Sequence, residues 1–145
     1  MKVLQVSTKK KTEFIDITTD ILRVISGKGA KSGLCCVFCP HTTAALTINE
    51  NADPAVIQDI LAYLGKAIPS GKNFSHQEGN SDAHIKSSLF GNSLMVIIKG
   101  GQLKLGTWQG IYFCEFDGPR TRQVYVKTID TGRRACFAED LSRRG

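Results

Sequence analysis

The sequence predicts a single α+β domain, mostly antiparallel β-sheet arranged as a sandwich, with two main helices. Apolar runs of strand length recur along the chain and are joined mostly by short turns rich in Gly, Asp and Pro. Two stretches instead space their apolar residues at a helical period. The Gly-rich turns join strand to strand and no G-x-G-x-x-G occurs, which excludes a βαβ dinucleotide fold. A chain of 145 residues is long enough for one proper core.

Val3–Val6 and Thr12–Ile17 read as short strands either side of a Lys9-Lys10-Lys11 turn. Thr18 is the expected cap of a first helix carrying Ile21, Val24 and Ile25, with Gly27 placed to end it. Gly33–Cys39 is a continuous apolar run, hence a buried strand, and Ala44–Asn49 is another. Asp53 and Pro54 open the second helix, with Val56, Ile57, Ile60, Leu61 and Leu64 on its apolar face. Gly65, Pro69 and Gly71 are expected to end it. Around Asp82–Ser88 the pattern allows a helical turn capped by Asn80 or Ser81. Leu94–Ile98, a tight turn at Lys99–Gln102, and strands at Ile111–Phe116 and Gln123–Ile129 complete the domain, and the apolar Ile111–Phe116 reads as an edge-type strand that needs covering. Residues 1–129 form the domain, and 130–145 are expected to be a mobile basic tail.

No apolar run is long enough to span a bilayer, and the N-terminus lacks a signal-peptide core. Five cysteines without a secretory signal read as free thiols in a reducing compartment, so a cytoplasmic location is expected. Cys36 and Cys39 have C-x-x-C spacing, but in a strand residues three apart face opposite ways and cannot share a metal or a disulfide. The net charge of +6 draws on Lys9–Lys11 and on arginines 133, 134, 143 and 144. It reads either as solvated surface or as a preference for anionic partners.

The chemistry is concentrated in Phe74–Gly91, which holds two of the three histidines yet few large apolar residues. His76, Glu78, Asn80, Asp82, His84 and Lys86 alternate with other residues there. Such a run is either a polar loop with a surface ion pair between Asp82 and Lys86, or a site. Imidazoles beside carboxylates suit a divalent transition metal, although no standard zinc spacing is present. His41 follows Pro40 at a strand end, as a cap or a site residue. Glu50 is not needed to cap the second helix and is a site candidate. Trp108 and Gln109 lie in a Gly-flanked turn, and Arg120 and Arg122 sit beside the Asp117-Gly-Pro turn, where a guanidinium suits phosphate.

Four blocks in order, Pro40–Pro54, His76–Lys86, Leu105–Gln109 and Glu115–Arg120, resemble the YjbQ family, also called the secondary thiamine-phosphate synthase family. The resemblance covers roughly Thr12 to Val126. It implies sheets packed around a threefold axis, hence a homotrimer, and a pocket holding His41, His76 and His84 that takes a divalent metal, zinc or magnesium. No organic cofactor is expected. The implied activity is a transferase reaction joining a hydroxymethylpyrimidine diphosphate to a thiazole phosphate, as a side reaction. On that reading His41, His76, His84, Glu50 and Lys86 are catalytic. Glu78, Asn80, Asp82, Trp108, Gln109 and Arg120 bind the phosphorylated substrate. The alternative is a non-catalytic protein binding a phosphorylated ligand or nucleic acid. Nucleic acid is disfavoured, because the aromatic–basic interleaving that stacks bases is missing. No membrane partner is expected. Two departures are visible: Met95–Ile98 lacks a proline usual in the family, and the tail after Asp130 has no counterpart.

Overall fold

The inward residues of two antiparallel sheets meet in one core, and this decides where everything else lies. In the computed structural model, residues 1–71 and 74–130 are described. The strands are β1 (Lys2–Ser7), β2 (Glu13–Asp16), β3 (Ser32–Phe38), β4 (Ala44–Glu50), β5 (Ser93–Lys99), β6 (Gln102–Leu103), β7 (Gln109–Glu115) and β8 (Thr121–Asp130). The helices are α1 (Thr18–Gly27), α2 (Pro54–Ala67) and α3 (Ser81–Phe90). One sheet runs in the order β1-β8-β3-β5-β6 and the other β2-β7-β4. All six strand pairings are antiparallel.

Strict alternation in β3, β5 and β8 sends Cys35, Val37, Val96, Ile98, Val124 and Val126 inward. Leu46, Ile111 and Phe113 meet them from the smaller sheet, and Ile21, Val24 and Ile25 of α1 join the same core. The other face of the smaller sheet is covered by α2 and α3, where Ile57, Ile60, Leu64 and Ala83 pack on Ala45, Tyr112, Cys114 and Phe116. The outer face of the five-stranded sheet has no such cover among the described residues. There Ile97, Leu34 and Ile129 stand side by side across three strands, Met95 lies opposite Cys36, and Phe38 meets Tyr125. Met95 is 61% exposed and Ile97 59%.

Several expectations change. Ile111–Phe116, read as an edge-type strand in need of cover, is largely β7, the middle strand of its sheet and buried from Gly110 to Glu115. Thr18 is not the cap of α1; it is the first helical residue, Ile17 precedes it, and the Thr18 hydroxyl accepts from Ile111 N. Gly65 does not stop α2, which continues to Ala67. Asp53 does cap it, its carboxylate accepting from Ala55 N at 2.8 Å. The helical turn near Asp82 is a full ten-residue helix, so there are three helices rather than two. The Gly100–Gly101 turn has positive φ at both glycines, as a tight turn there requires. The four described cysteines are free thiols. Cys36 is half-buried on the outer face while Cys39 is in the core, so the C-x-x-C pair is indeed split. The basic tail, with its arginines and Cys136, lies outside the described residues. No described helix is long and apolar enough to cross a membrane.

Candidate functional site

The site forms at the end of the sandwich where β3 gives way to β4 and β7 to β8. Pro40 has no N–H and ends the β3 ladder, so the chain turns and presents His41 and Thr42 at the rim. The β7–β8 turn brings Asp117, Arg120 and Arg122 to the same end. Helix α3 lies across the start of β4, anchored by the Ser87 hydroxyl donating to Ala44 O at 2.8 Å. Its preceding loop delivers His76 and Glu78.

A cleft of about 340 Å³ is lined by Thr42, Thr43, His76, Glu78, Asn80, His84, Asp117, Arg120 and Arg122. His84 also lines a neighbouring hollow with His41, Thr42, Ser87, Ser88, Gly91 and Asn92. A third, more apolar hollow has Phe74, Ser75, His76, Ser81, His84 and Ile85 on its walls. His84 is therefore common to all three. The His76 and His84 rings meet edge to face, with centroids 5.3 Å apart. His76 Nε2 lies 3.7 Å from the Glu78 carboxylate.

Two guanidiniums two residues apart have different work. Arg122 is buried and grips Glu115 with both Nε (2.8 Å) and Nη2 (2.6 Å), and Nη2 also donates to the Thr43 hydroxyl. Glu115, fully buried, further accepts from Thr8 and from the main-chain N–H groups of Phe116 and Asp117. These bonds hold the Arg122 guanidinium even more firmly protonated than usual. Arg120 is half exposed, tied to Asp117 O at 2.7 Å and to its carboxylate at 2.8 Å. Asn80 donates to the same Asp117 carboxylate, and its own side-chain oxygen is buried without a partner among the described residues.

His41, His76, His84, Glu78, Asn80 and Arg120 are thus brought together. Asp82 and Lys86 are not. At about 100° per residue each lies about 200° round α3 from His84, on the side facing the protein. Lys86 Nζ meets the Asp82 carboxylate at 2.9 Å, with both groups almost fully buried, and Ser70 donates to the same oxygen. Burial alone would raise the Asp82 carboxyl, but Lys86 and Ser70 outweigh it and hold it below the ordinary range. The predicted surface pair is a buried one, and Lys86 does not line the cleft. Glu50, Trp108 and Gln109 also lie elsewhere: β4 starts opposite Glu115 and ends with Glu50 opposite Gln109, six residues or about 20 Å further along. Trp108 is 62% exposed there, and the Gln109 side chain accepts from Gly106 N. Thr42, Thr43, Asp117, Ser88 and Asn92 were not singled out by the sequence; the turn after Pro40 and the Asp117-Gly-Pro turn were the signal for the first three.

Among the described residues no group of three or more His, Cys, Asp or Glu side chains is arranged to hold a metal ion. His41 Nε2 already accepts the Gln123 N–H at 2.9 Å. Burial, then the Arg122 charge, pushes the His41 imidazole below its ordinary range, so it is neutral at pH 7.

A family model described as UPF0047 protein YjbQ-like matches residues 2–131. The chain belongs to the YjbQ family. It is 57% identical over 125 residues to the UPF0047 protein MJ1081 of Methanocaldococcus jannaschii, covering 86% of this chain and 91% of that one. It is 52% identical over 130 residues to UPF0047 protein YugU of Bacillus subtilis, covering 89% and 98%. The crystal structure of a YjbQ/UPF0047-family protein from Clostridium acetobutylicum superposes with a TM-score of 0.87 at 53% identity, covering 89% of this chain and all of that one. The YjbQ fold is therefore shared, while these relatives' names state no reaction.

Proposed function

We propose that this YjbQ protein is an enzyme acting on phosphorylated small molecules, with a secondary thiamine-phosphate synthase activity. One observation carries the reading: three segments remote in sequence, one with His41, one with His76 and His84, and one with Arg120 and Arg122, meet around adjoining hollows. A departing diphosphate needs its growing negative charge met by donors already in place. Arg120 and the histidine pair are the groups placed to meet it, and the apolar hollow beside Phe74 and Ile85 suits a ring. No step in this reading needs a metal resident on the three histidines.

Homotrimeric assembly is part of the proposal. Its support is the uncovered apolar face of the five-stranded sheet, since exposed patches of this kind mark contact surfaces. Glu50, Trp108 and Gln109 lie too far along the sandwich to reach the cleft within one chain. The second reading, a binding protein without turnover, is favoured by the pairing of both cleft arginines to carboxylates, buried for Arg122 and half exposed for Arg120.

The test is rescue of a thiamine-requiring strain together with rate measurements on the purified protein. His84→Ala is expected to lose well over tenfold in rate, about 1.4 kcal/mol or more of barrier. Rescue undiminished in His84→Ala would place the chemistry elsewhere, and no rescue by the unaltered protein would favour the binding reading.

A further inference from the structure

We propose that His41 is a tautomer-locked hydrogen-bond donor, offering Nδ1–H to an anionic oxygen of the ligand, rather than a metal ligand or a general base. This deepens, and rests on, the reading of the cleft as a site for phosphorylated compounds.

The lock begins in the sheet. Partners in β3 and β8 have residue numbers that sum to 163, from Gly33 with Asp130 to Phe38 with Tyr125. Continued two residues further, that register sets Pro40 opposite Gln123. The ladder has ended by then, and the Gln123 N–H would lose its acceptor. His41 Nε2 takes that place at 2.9 Å. A lone pair that accepts an N–H cannot also hold a proton or a metal. A neutral imidazole carries one ring proton, so it resides on Nδ1. Coordination of a metal through Nδ1 would move that proton to Nε2, where it would face the Gln123 N–H donor to donor.

The surroundings agree. The hollow that His41 lines with Thr42, His84 and Asn92 has no carboxylate on its walls. The Ser87 and Ser88 hydroxyl protons are committed to the carbonyls of Ala44 and His84. Ring donors therefore matter more here than hydroxyls. Burial and the Arg122 charge keep the ring neutral, so the locked state is the one populated at pH 7.

The tautomer is read directly from ring-nitrogen NMR of the ¹⁵N-labelled protein, and affinities for inorganic pyrophosphate and for Zn²⁺ are measured separately. The expected result is an Nδ1–H resonance for His41 in the free protein that shifts when pyrophosphate is added. His41→Ala should weaken pyrophosphate roughly tenfold or more, as loss of a bond to a charged group does. Its Zn²⁺ affinity should be unchanged. His41→Gln is the folded control: its carbonyl can accept the Gln123 N–H, while its amide NH2 cannot occupy the Nδ1 position, so it should keep the melting temperature and recover at most part of the pyrophosphate affinity. An Nε2–H tautomer, or a Zn²⁺ affinity that falls with His41, overturns the proposal. So does pyrophosphate affinity unchanged in both variants, with the broader reading left standing. Failure of the unaltered protein to bind pyrophosphate overturns both.

Discussion

Beneath the cleft, Arg122 and Lys86 are buried, each closed on a buried carboxylate. At its rim, Arg120 and His76 are half exposed beside Asp117 and Glu78. In sequence these two layers are interleaved, with Arg120 and Arg122 two residues apart and His84 and Lys86 likewise. On α3 a step of two residues nearly reverses the face, which parts His84 from Lys86. Arg120 precedes β8 and is placed by the turn, whereas Arg122 lies inside the strand and is placed by the sheet. The inner charges support the floor, and the outer ones are left to meet a ligand. Substitutions that separate stability from binding will show whether this division is real.

The largest effect is expected at Arg122. Replacing it by Met leaves Glu115 buried with its charge uncompensated and frees the Thr43 hydroxyl. Breaking a buried pair from one side costs about 3–5 kcal/mol, and the two-pronged geometry places this one near the upper end. Denaturant unfolding of Arg122→Met should show it. A loss below about 1 kcal/mol would mean that Glu115 is already satisfied by Thr8 and the main chain.

Lys86 comes next. Lys86→Met should cost about 3 kcal/mol, since Ser70 still donates to Asp82. The double variant Asp82→Asn, Lys86→Met should recover part of that loss. Because the Asp82 carboxyl is held below its ordinary range, the stability it contributes is present above its unfolded pKa and is lost as pH falls through the folded one. Lys86→Met should therefore flatten the acid side of the stability profile. A large loss of ligand affinity with little loss of stability would instead return Lys86 to the site, where the sequence alone had placed it.

That misplacement shows where sequence reasoning stops. α2 was legible because Asp53, Pro54 and the spacing from Val56 to Leu64 agree. α3 was legible only as a turn, because the residues it buries include Asp82, Lys86 and Ser87. A helix that buries polar groups leaves no apolar stripe to find. The three histidines were legible as chemistry, since little in their segments calls for them as packing. Glu50, Trp108 and Gln109 were grouped with them because the register that carries them to the far end of β4 and β7 is set by pairing between distant strands. For the same reason β7 read as an edge: strand order is a property of the whole sheet.

The smallest effect on stability is expected at Arg120, and it discriminates best. Its guanidinium is half exposed, and its contacts to Asp117 lie within one turn. Solvent screens such a pair, and surface substitutions away from buried networks usually stay within about 0.5 kcal/mol. Arg120→Ala should thus unfold like the unaltered protein, with Asn80 keeping its bond to the Asp117 carboxylate. Pyrophosphate affinity should nevertheless fall roughly tenfold, the cost of one charge-assisted contact to an anion. The Lys replacement should recover only part of it, because a point charge cannot reproduce a guanidinium held against Asp117 by both Nε and Nη2. If Arg120→Ala leaves pyrophosphate binding intact, the rim cation is ordinary surface charge and the anion must be held by the histidines. If it destabilises the fold by several kcal/mol, then the rim belongs to the same buried network as Arg122, and the two layers are one.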